Sequence, residues 1–275
     1  MNNKYVIKHV EVDNITEAEL CQKEANQLRE FQHKNIIKFI EDFIHIEHNF
    51  CRNKYFHVII MEYCKKGDLI QFLEANRQTR KKIKEKVIVN ILEQLCKAIV
   101  YIHGMNVVHR DIKLGNILMC KDNTIRLSDF GLSDKIGKIR TRKVGTRSYM
   151  APEEFKEFYK GSIDEEYSLE NKKASDMWCV GCVLYELCTG QLVVNLGFTL
   201  GKKMAQRQNF LPELLTNVST SYSKGLRNII KDLLNVDPKK RPRADEILRR
   251  ARSLKHQLSI SHNTSGKENN LSLVN

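Results

Sequence analysis

The sequence predicts an α+β protein in two unequal lobes, a small β-rich one leading into a mainly helical one. Two observations carry the prediction. Ahead of Gly67, apolar residues alternate as in strands around a single helix, and beyond it they recur at helical spacing. Strands grouped first and helices after, rather than interleaved, point to α+β architecture. With 275 residues, 41% of them hydrophobic, the chain can bury the core of one large domain or of two lobes.

The elements follow in order. Residues 4–12 alternate as a strand, with Val6, Lys8, Val10 and Val12 on one face and Ile7 and His9 on the other. Residues 16–31 read as a helix with Leu20, Glu24 and Leu28 along one stripe, and Thr16 with Glu19 suits a capping box. Strands are expected over Ile36–Phe43 and Phe56–Met61, with a polar loop over 47–54 between them. In the helical half, Ile83, Val87, Ile91, Leu95 and Ile99 trace a long amphipathic helix. Ala174–Gly190 is apolar nearly all round, as suits a helix at the centre of a lobe. Helices over Ser221–Asn235 and Arg243–Leu254 are separated by Val236-Asp237-Pro238. Beyond Leu258 the residues are mostly Ser, Asn, Gly and Lys, so 257–275 is expected to be a disordered tail. Within it, Lys267-Glu268-Asn269 has the letters of a KEN degradation signal.

A formal net charge of +13 admits nucleic acid, an anionic membrane or an acidic partner. The basic residues are scattered over 77–86, 135–143 and 239–255, without aromatic residues placed to stack on bases. A solvated basic surface is therefore expected, and nucleic acid is not. The eight cysteines lie mostly in apolar runs; Cys179 and Cys182 share a helix without a second pair, which argues against zinc. With no signal-peptide pattern, they read as reduced core thiols of a cytoplasmic or nuclear protein. The longest apolar stretch, Met177–Leu200, carries Glu186 and Asn195 and reads as a buried helix plus a loop, so no membrane is expected.

Three blocks then stand out. Residues 109–116 read His-Arg-Asp-Ile-Lys-Leu-Gly-Asn, followed by Asp129-Phe130-Gly131 and by Ala151-Pro152-Glu153. In this order and spacing they resemble the catalytic loop, metal-binding loop and activation-segment end of eukaryotic protein kinases. The resemblance runs from about residue 4 to about residue 256. It implies a two-lobed protein kinase-like fold, with an incomplete small lobe over 1–63 and a large lobe over 64–256.

It also implies roles. Asp111 would orient the substrate hydroxyl and accept its proton, Lys113 would contact the γ-phosphate, and Asn116 and Asp129 would hold Mg²⁺. Lys8 and Glu24 each sit on an apolar face, where a lone charge is costly, and each supplies what the other lacks. In the resembling family this pair joins the third strand to the αC helix, with the lysine holding the α- and β-phosphates of ATP. Met61 would be the gatekeeper, the backbone of Glu62 and Cys64 would meet adenine, and Leu118 would form the floor beneath it. Glu153 with Arg241 would be a structural ion pair, and Asp176 would anchor the catalytic-loop backbone. Arg110 would meet a phosphate placed by an upstream activating kinase, with Thr141 the best candidate, while Gly145-Thr146 would belong to the substrate-binding loop. Lys113 and the 145–149 loop favour protein substrates with Ser/Thr acceptors. The Asp176-Met177-Trp178 turn and Cys182–Leu187 are similar to NIMA-related kinases.

Two departures from the family pattern are visible. Phe155–Lys173 is about eleven residues longer than that family's usual link and reads as a surface insertion with an acidic Asp164-Glu165-Glu166. No glycine precedes Gly67, so the Gly-rich phosphate loop is missing and the Lys8 strand is expected to be a sheet edge. Either the natural chain begins further upstream, or this is a pseudokinase-like scaffold with impaired ATP binding.

Overall fold

In a computed structural model of the chain, residues 4–48, 53–131, 134–135, 147–154, 169–193, 215–218 and 220–268 are described. The small lobe is an antiparallel sheet of three strands, β1 (Tyr5–Val12), β2 (Phe39–Glu47) and β3 (Lys54–Glu62), in the order β1-β3-β2. Helix α1 (Ile15–Glu30) packs on it through buried Ala25 and Leu28. Lys8 pairs with Ile59 in the register, and among the described residues β1 has no second neighbour, so it is the sheet edge the pattern predicted.

Two expectations about this lobe need correction. The cap of α1 is Asn14, not Thr16: the Asn14 side chain accepts from Glu17 N at 2.9 Å, and the Glu17 carboxylate accepts from Asp13 N at 3.0 Å. Asparagine caps at least as well as threonine, so the helix starts earlier. Strand β2 begins at Phe39 rather than Ile36, because the preceding backbone is bonded elsewhere. Ile36 bridges to Leu127, and Ile37 N donates to Leu127 O at 2.9 Å, tying this segment to the large lobe.

The large lobe opens at Gly67, whose φ of +70° favours glycine and lets Asp68 cap α2 (Leu69–Gln78) by accepting from Gln71 N. Helix α3 (Glu85–Gly104) follows. Its length and composition would suffice to cross a membrane, but eleven of its side chains are buried within the lobe. Short antiparallel pairs join β4 (Val107–Val108) to β7 (Asp134–Lys135) and β5 (Ile117–Met119) to β6 (Ile125–Leu127). Helix α4 (Leu169–Thr189) is the expected central helix, buried almost continuously from Ser175 to Cys188. Its Gly181 is needed for packing: a Cβ there would come within 2.9 Å of the Leu234 side chain, at the end of α5 (Lys224–Leu233).

Helix α6 (Ala244–Glu268) lies along α3 and departs most from expectation. It continues ten residues past Leu258, so the first part of the predicted disordered tail, 257–275, is helical instead. Its docked portion explains the extension. Lys255 Nζ reaches Asn90 Oδ1 at 2.9 Å and Glu93 Oε2 at 2.5 Å, and Leu258 packs at the core edge. Once those turns are fixed, each added residue brings one backbone hydrogen bond without a new nucleation cost. Of Lys267-Glu268-Asn269, the first two end the helix and Asn269 lies outside the described residues. The 239–255 stretch is also not uniformly solvated, since Arg241 is buried. Residues 169–173 of the expected insertion are the first turn of α4, while 155–168 lie outside the described residues.

Candidate active site

Lys8 points from β1 toward two carboxylates. Its Nζ lies 2.7 Å and 3.0 Å from the Glu24 oxygens and 2.9 Å from Asp129 Oδ1. Burial works to lower the pKa of this ammonium, but Glu24 and then Asp129 outweigh it and hold it above the ordinary lysine value. The strand, the helix and the large lobe each supply one member, so the cluster joins the lobes.

A second cluster forms around Asp111, which is 5% exposed. Lys113 Nζ donates to Asp111 Oδ2 at 2.7 Å, and Asn116 Nδ2 donates to the same oxygen at 2.9 Å and to Asp111 O at 2.8 Å. The two clusters are linked, because Ser128 N, next to Asp129, donates to Asn116 O at 2.9 Å. The turn from Lys113 through the short 3₁₀ segment Leu114–Asn116 folds the asparagine back onto the aspartate.

The loop carrying Asp111 is held from below by Asp176 of α4. This carboxylate, 1% exposed, accepts from His109 N and Arg110 N at 2.9 Å each and pairs with His103 Nε2 at 2.8 Å. Burial works to raise its pKa, but the hydrogen bonds from His103 and from the His109 backbone prevail and keep it below the ordinary carboxylate range. His109 is fully enclosed, and burial pushes its imidazole pKa down. Asp111 N donates to His109 Nδ1 at 3.2 Å, which places the ring hydrogen on Nε2, where it is donated to Ser128 O at 3.1 Å. Phe130 lies between His109 and Phe31, with ring centroids 4.7 Å and 4.9 Å away, which fixes the residue after Asp129. Arg110 and Asp129 adopt positive φ, +69° and +64°, two of five non-glycine residues that do so among the described residues.

Between the lobes, Met61 is buried and the Glu62 N–H is engaged by Lys38 O at 3.0 Å. Cys64 is buried, and Leu118 on β5 lies beside the same turn through the Asp68–Leu118 bridge and the 2.7 Å Met119 N to Gly67 O bond. The predicted residues therefore gather into three groups: Lys8, Glu24 and Asp129; Asp111, Lys113 and Asn116; and Glu62, Cys64 and Leu118.

Residues 1–251 match the protein kinase domain family. The chain belongs to that family. It is 32% identical over 249 residues to the mouse serine/threonine-protein kinase Nek1, covering 89% of this chain and 19% of that protein. Against a probable serine/threonine-protein kinase nek2 of Dictyostelium discoideum it is 32% identical over 253 residues, 88% of this chain and 55% of the relative. Against human serine/threonine-protein kinase Nek2 the identity is 29% over 253 residues, 88% and 52% of the two chains. The chain spans between about a fifth and about half of the length of these relatives. The NIMA-related likeness of Asp176-Met177-Trp178 and Cys182–Leu187 agrees with their names.

Other parts of this kinase domain are structural. Arg241 forms a two-pronged pair with Glu153, at 2.5 Å and 2.6 Å, lies over the Trp178 ring at 5.1 Å, and also donates to Asn235 O and Ala174 O. Sequence reasoning missed Phe31 and His103. Phe31, three residues past Leu28 on the same helical stripe, was detectable by spacing; His103 closes α3 and gave no signal of its partner. Thr141, the Gly145-Thr146 loop and Asp164-Glu165-Glu166 lie outside the described residues.

The oxygen groups here fit Mg²⁺. Both acceptors around Asn116 Nδ2 belong to Asp111, which fixes the amide orientation and turns its carbonyl oxygen away from them. Asp129 engages Lys8 through Oδ1. An amide oxygen and a carboxylate are the hard donors this cation prefers.

Proposed function

We propose that this kinase domain transfers the γ-phosphate of Mg-ATP to serine or threonine hydroxyls of protein substrates. The single observation that carries the reading is the linkage of the Lys8–Glu24–Asp129 cluster to the Asp111–Lys113–Asn116 cluster through the Ser128–Asn116 bond. Phosphoryl transfer asks the protein for positioning and charge, not for covalent chemistry. Mg²⁺ held by Asn116 and Asp129 would neutralise phosphate charge. Lys8, kept in place by Glu24, binds the α- and β-phosphates. Asp111, oriented by Lys113 and Asn116, aligns the acceptor hydroxyl and takes its proton, and the Lys113 ammonium lies within reach of the γ-phosphate. The backbone of Glu62 and Cys64 meets adenine above Leu118. An upstream activating kinase belongs to the same reading, with Arg110 receiving a phosphate on Thr141.

Incubation of the chain with Mg-ATP and a serine/threonine peptide mixture tests it. Asp111→Asn removes the base while keeping the size of the side chain, so transfer should fall by about 10²-fold or more with an unchanged unfolding midpoint. Equal transfer by both proteins overturns the assignment.

A further inference from the structure

Cys64 and Cys120 are far apart in sequence but adjacent in space. Their sulfurs lie 3.1 Å apart, Cys64 on the turn joining the lobes and Cys120 just past β5. Two backbone bonds beside the pair hold the stretches together: Lys66 N donates to Met119 O at 3.1 Å, and Met119 N to Gly67 O at 2.7 Å. Closing the pair to the S–S bond length of about 2.05 Å needs a movement of only roughly 1 Å. The two thiols also differ in access: Cys64 is buried and Cys120 is half-buried.

We propose that Cys64 and Cys120 form a reversible disulfide, made by exchange with a small-molecule disulfide, that pins the interlobe turn to the strand carrying Leu118. The Cys120 thiolate attacks one sulfur of oxidised glutathione, forming a mixed disulfide and releasing one glutathione thiolate. Cys64 gives its proton to that thiolate and attacks the Cys120 sulfur, releasing the second glutathione, which takes up the proton lost by Cys120. The protein loses two electrons and two protons, and the glutathione disulfide gains them. Burial, then the hydrogen bond to Cys120, raises the Cys64 thiol pKa, which suits it to the second step rather than the first. Such a bond in a reducing compartment is transient and sensing rather than structural.

The same sulfurs with the Glu62 carboxylate could in principle hold a metal. Two features disfavour that. Glu62 Oε1 already accepts from Arg126 Nε and Lys38 N at 2.8 Å each. The group also offers only three ligand atoms among the described residues, where structural zinc takes four.

The bond itself does not depend on the kinase reading; only its position beside the adenine site does. The test therefore reads the cross-link and not activity. The native chain is titrated with oxidised glutathione, alkylated, digested and mapped by mass spectrometry. The expected result is a Cys64–Cys120 linked peptide, a loss of about 2 Da per chain, and reversal by dithiothreitol. Cys64→Ser should retain glutathione on Cys120, whereas Cys120→Ser should leave Cys64 unmodified. A stable adduct on Cys120 of the unaltered chain with no link to Cys64, or preferential modification of Cys64, overturns the proposal. So does stoichiometric zinc uptake that is lost in both variants.

Discussion

Replacing Asp176 by Asn probes how the large lobe holds the catalytic loop. Both backbone N–H groups that it receives, from His109 and Arg110, are 2.9 Å from a carboxylate that is 1% exposed. An amide has one oxygen, so one of those N–H groups would face an NH₂ instead. The change removes a hydrogen bond to a charged acceptor, about 1.5–3 kcal/mol, and strands a buried donor, about 1–3 kcal/mol. A loss of about 2.5–6 kcal/mol follows, a large part of the roughly 5–15 kcal/mol that holds a typical domain together. Equilibrium urea unfolding measures it through the midpoint at constant slope. The pH dependence gives an independent check. Asp176 has its pKa depressed in the folded state, so its contribution is present above the unfolded value of about 3.9 and is lost as pH falls through the folded value. The gap between native and variant should therefore narrow only in acid. A midpoint change worth less than about 1 kcal/mol at neutral pH, or a gap constant down to strong acid, refutes the reasoning.

Lys8→Met should raise the Kd for Mg-ATP by about 10- to 100-fold, the equivalent of one charge-assisted contact, in a fluorescence titration; a change under about twofold counts against Lys8 as a phosphate ligand. Glu153→Gln should cost about 2–4 kcal/mol in urea, below the roughly 3–5 kcal/mol usual for breaking a buried pair, because Arg241 keeps Asn235 O and Ala174 O. The double variant with Arg241→Met should recover part of that loss, and strict additivity of the two changes would mean the pair is not coupled.

Much of the site was legible because phosphoryl transfer places a few polar residues at fixed spacing. His109–Asn116 and Asp129–Gly131 could be read directly, and Lys8 and Glu24 followed from charges on apolar faces. Less legible were features set by choices among nearly equal local partners. Asn14 displaced Thr16 as the cap, and Ile36 and Ile37 joined Leu127 rather than extending β2. The end of α6 was hidden for another reason: its length depends on contacts with Asn90 and Glu93, some 160 residues away in sequence. Local composition said disorder, and tertiary docking extended the helix. The positive φ at Arg110 was equally unreadable, since arginine does not favour a left-handed backbone, whereas aspartate, as at Asp129, visits it more readily.

The charges around Lys8 also bear on what a metal would do here. One ammonium here serves two carboxylates, Glu24 and Asp129, so this cluster already carries one negative charge in excess. On the reading proposed above, a triphosphate adds several more at the same point, and Lys8 cannot serve Asp129 and the phosphates equally. Asp129 and Asn116 would hold a divalent cation that offsets the added charge, and Lys8 would then be available to the phosphates. Glu24, 8% exposed at its side chain, would keep Lys8 aimed across the cleft. Nucleotide and metal should therefore bind as a unit, each weak without the other. β1 supplies the lysine from the outermost strand of the sheet, so its position depends on the β3 register on one side and on Glu24 on the other.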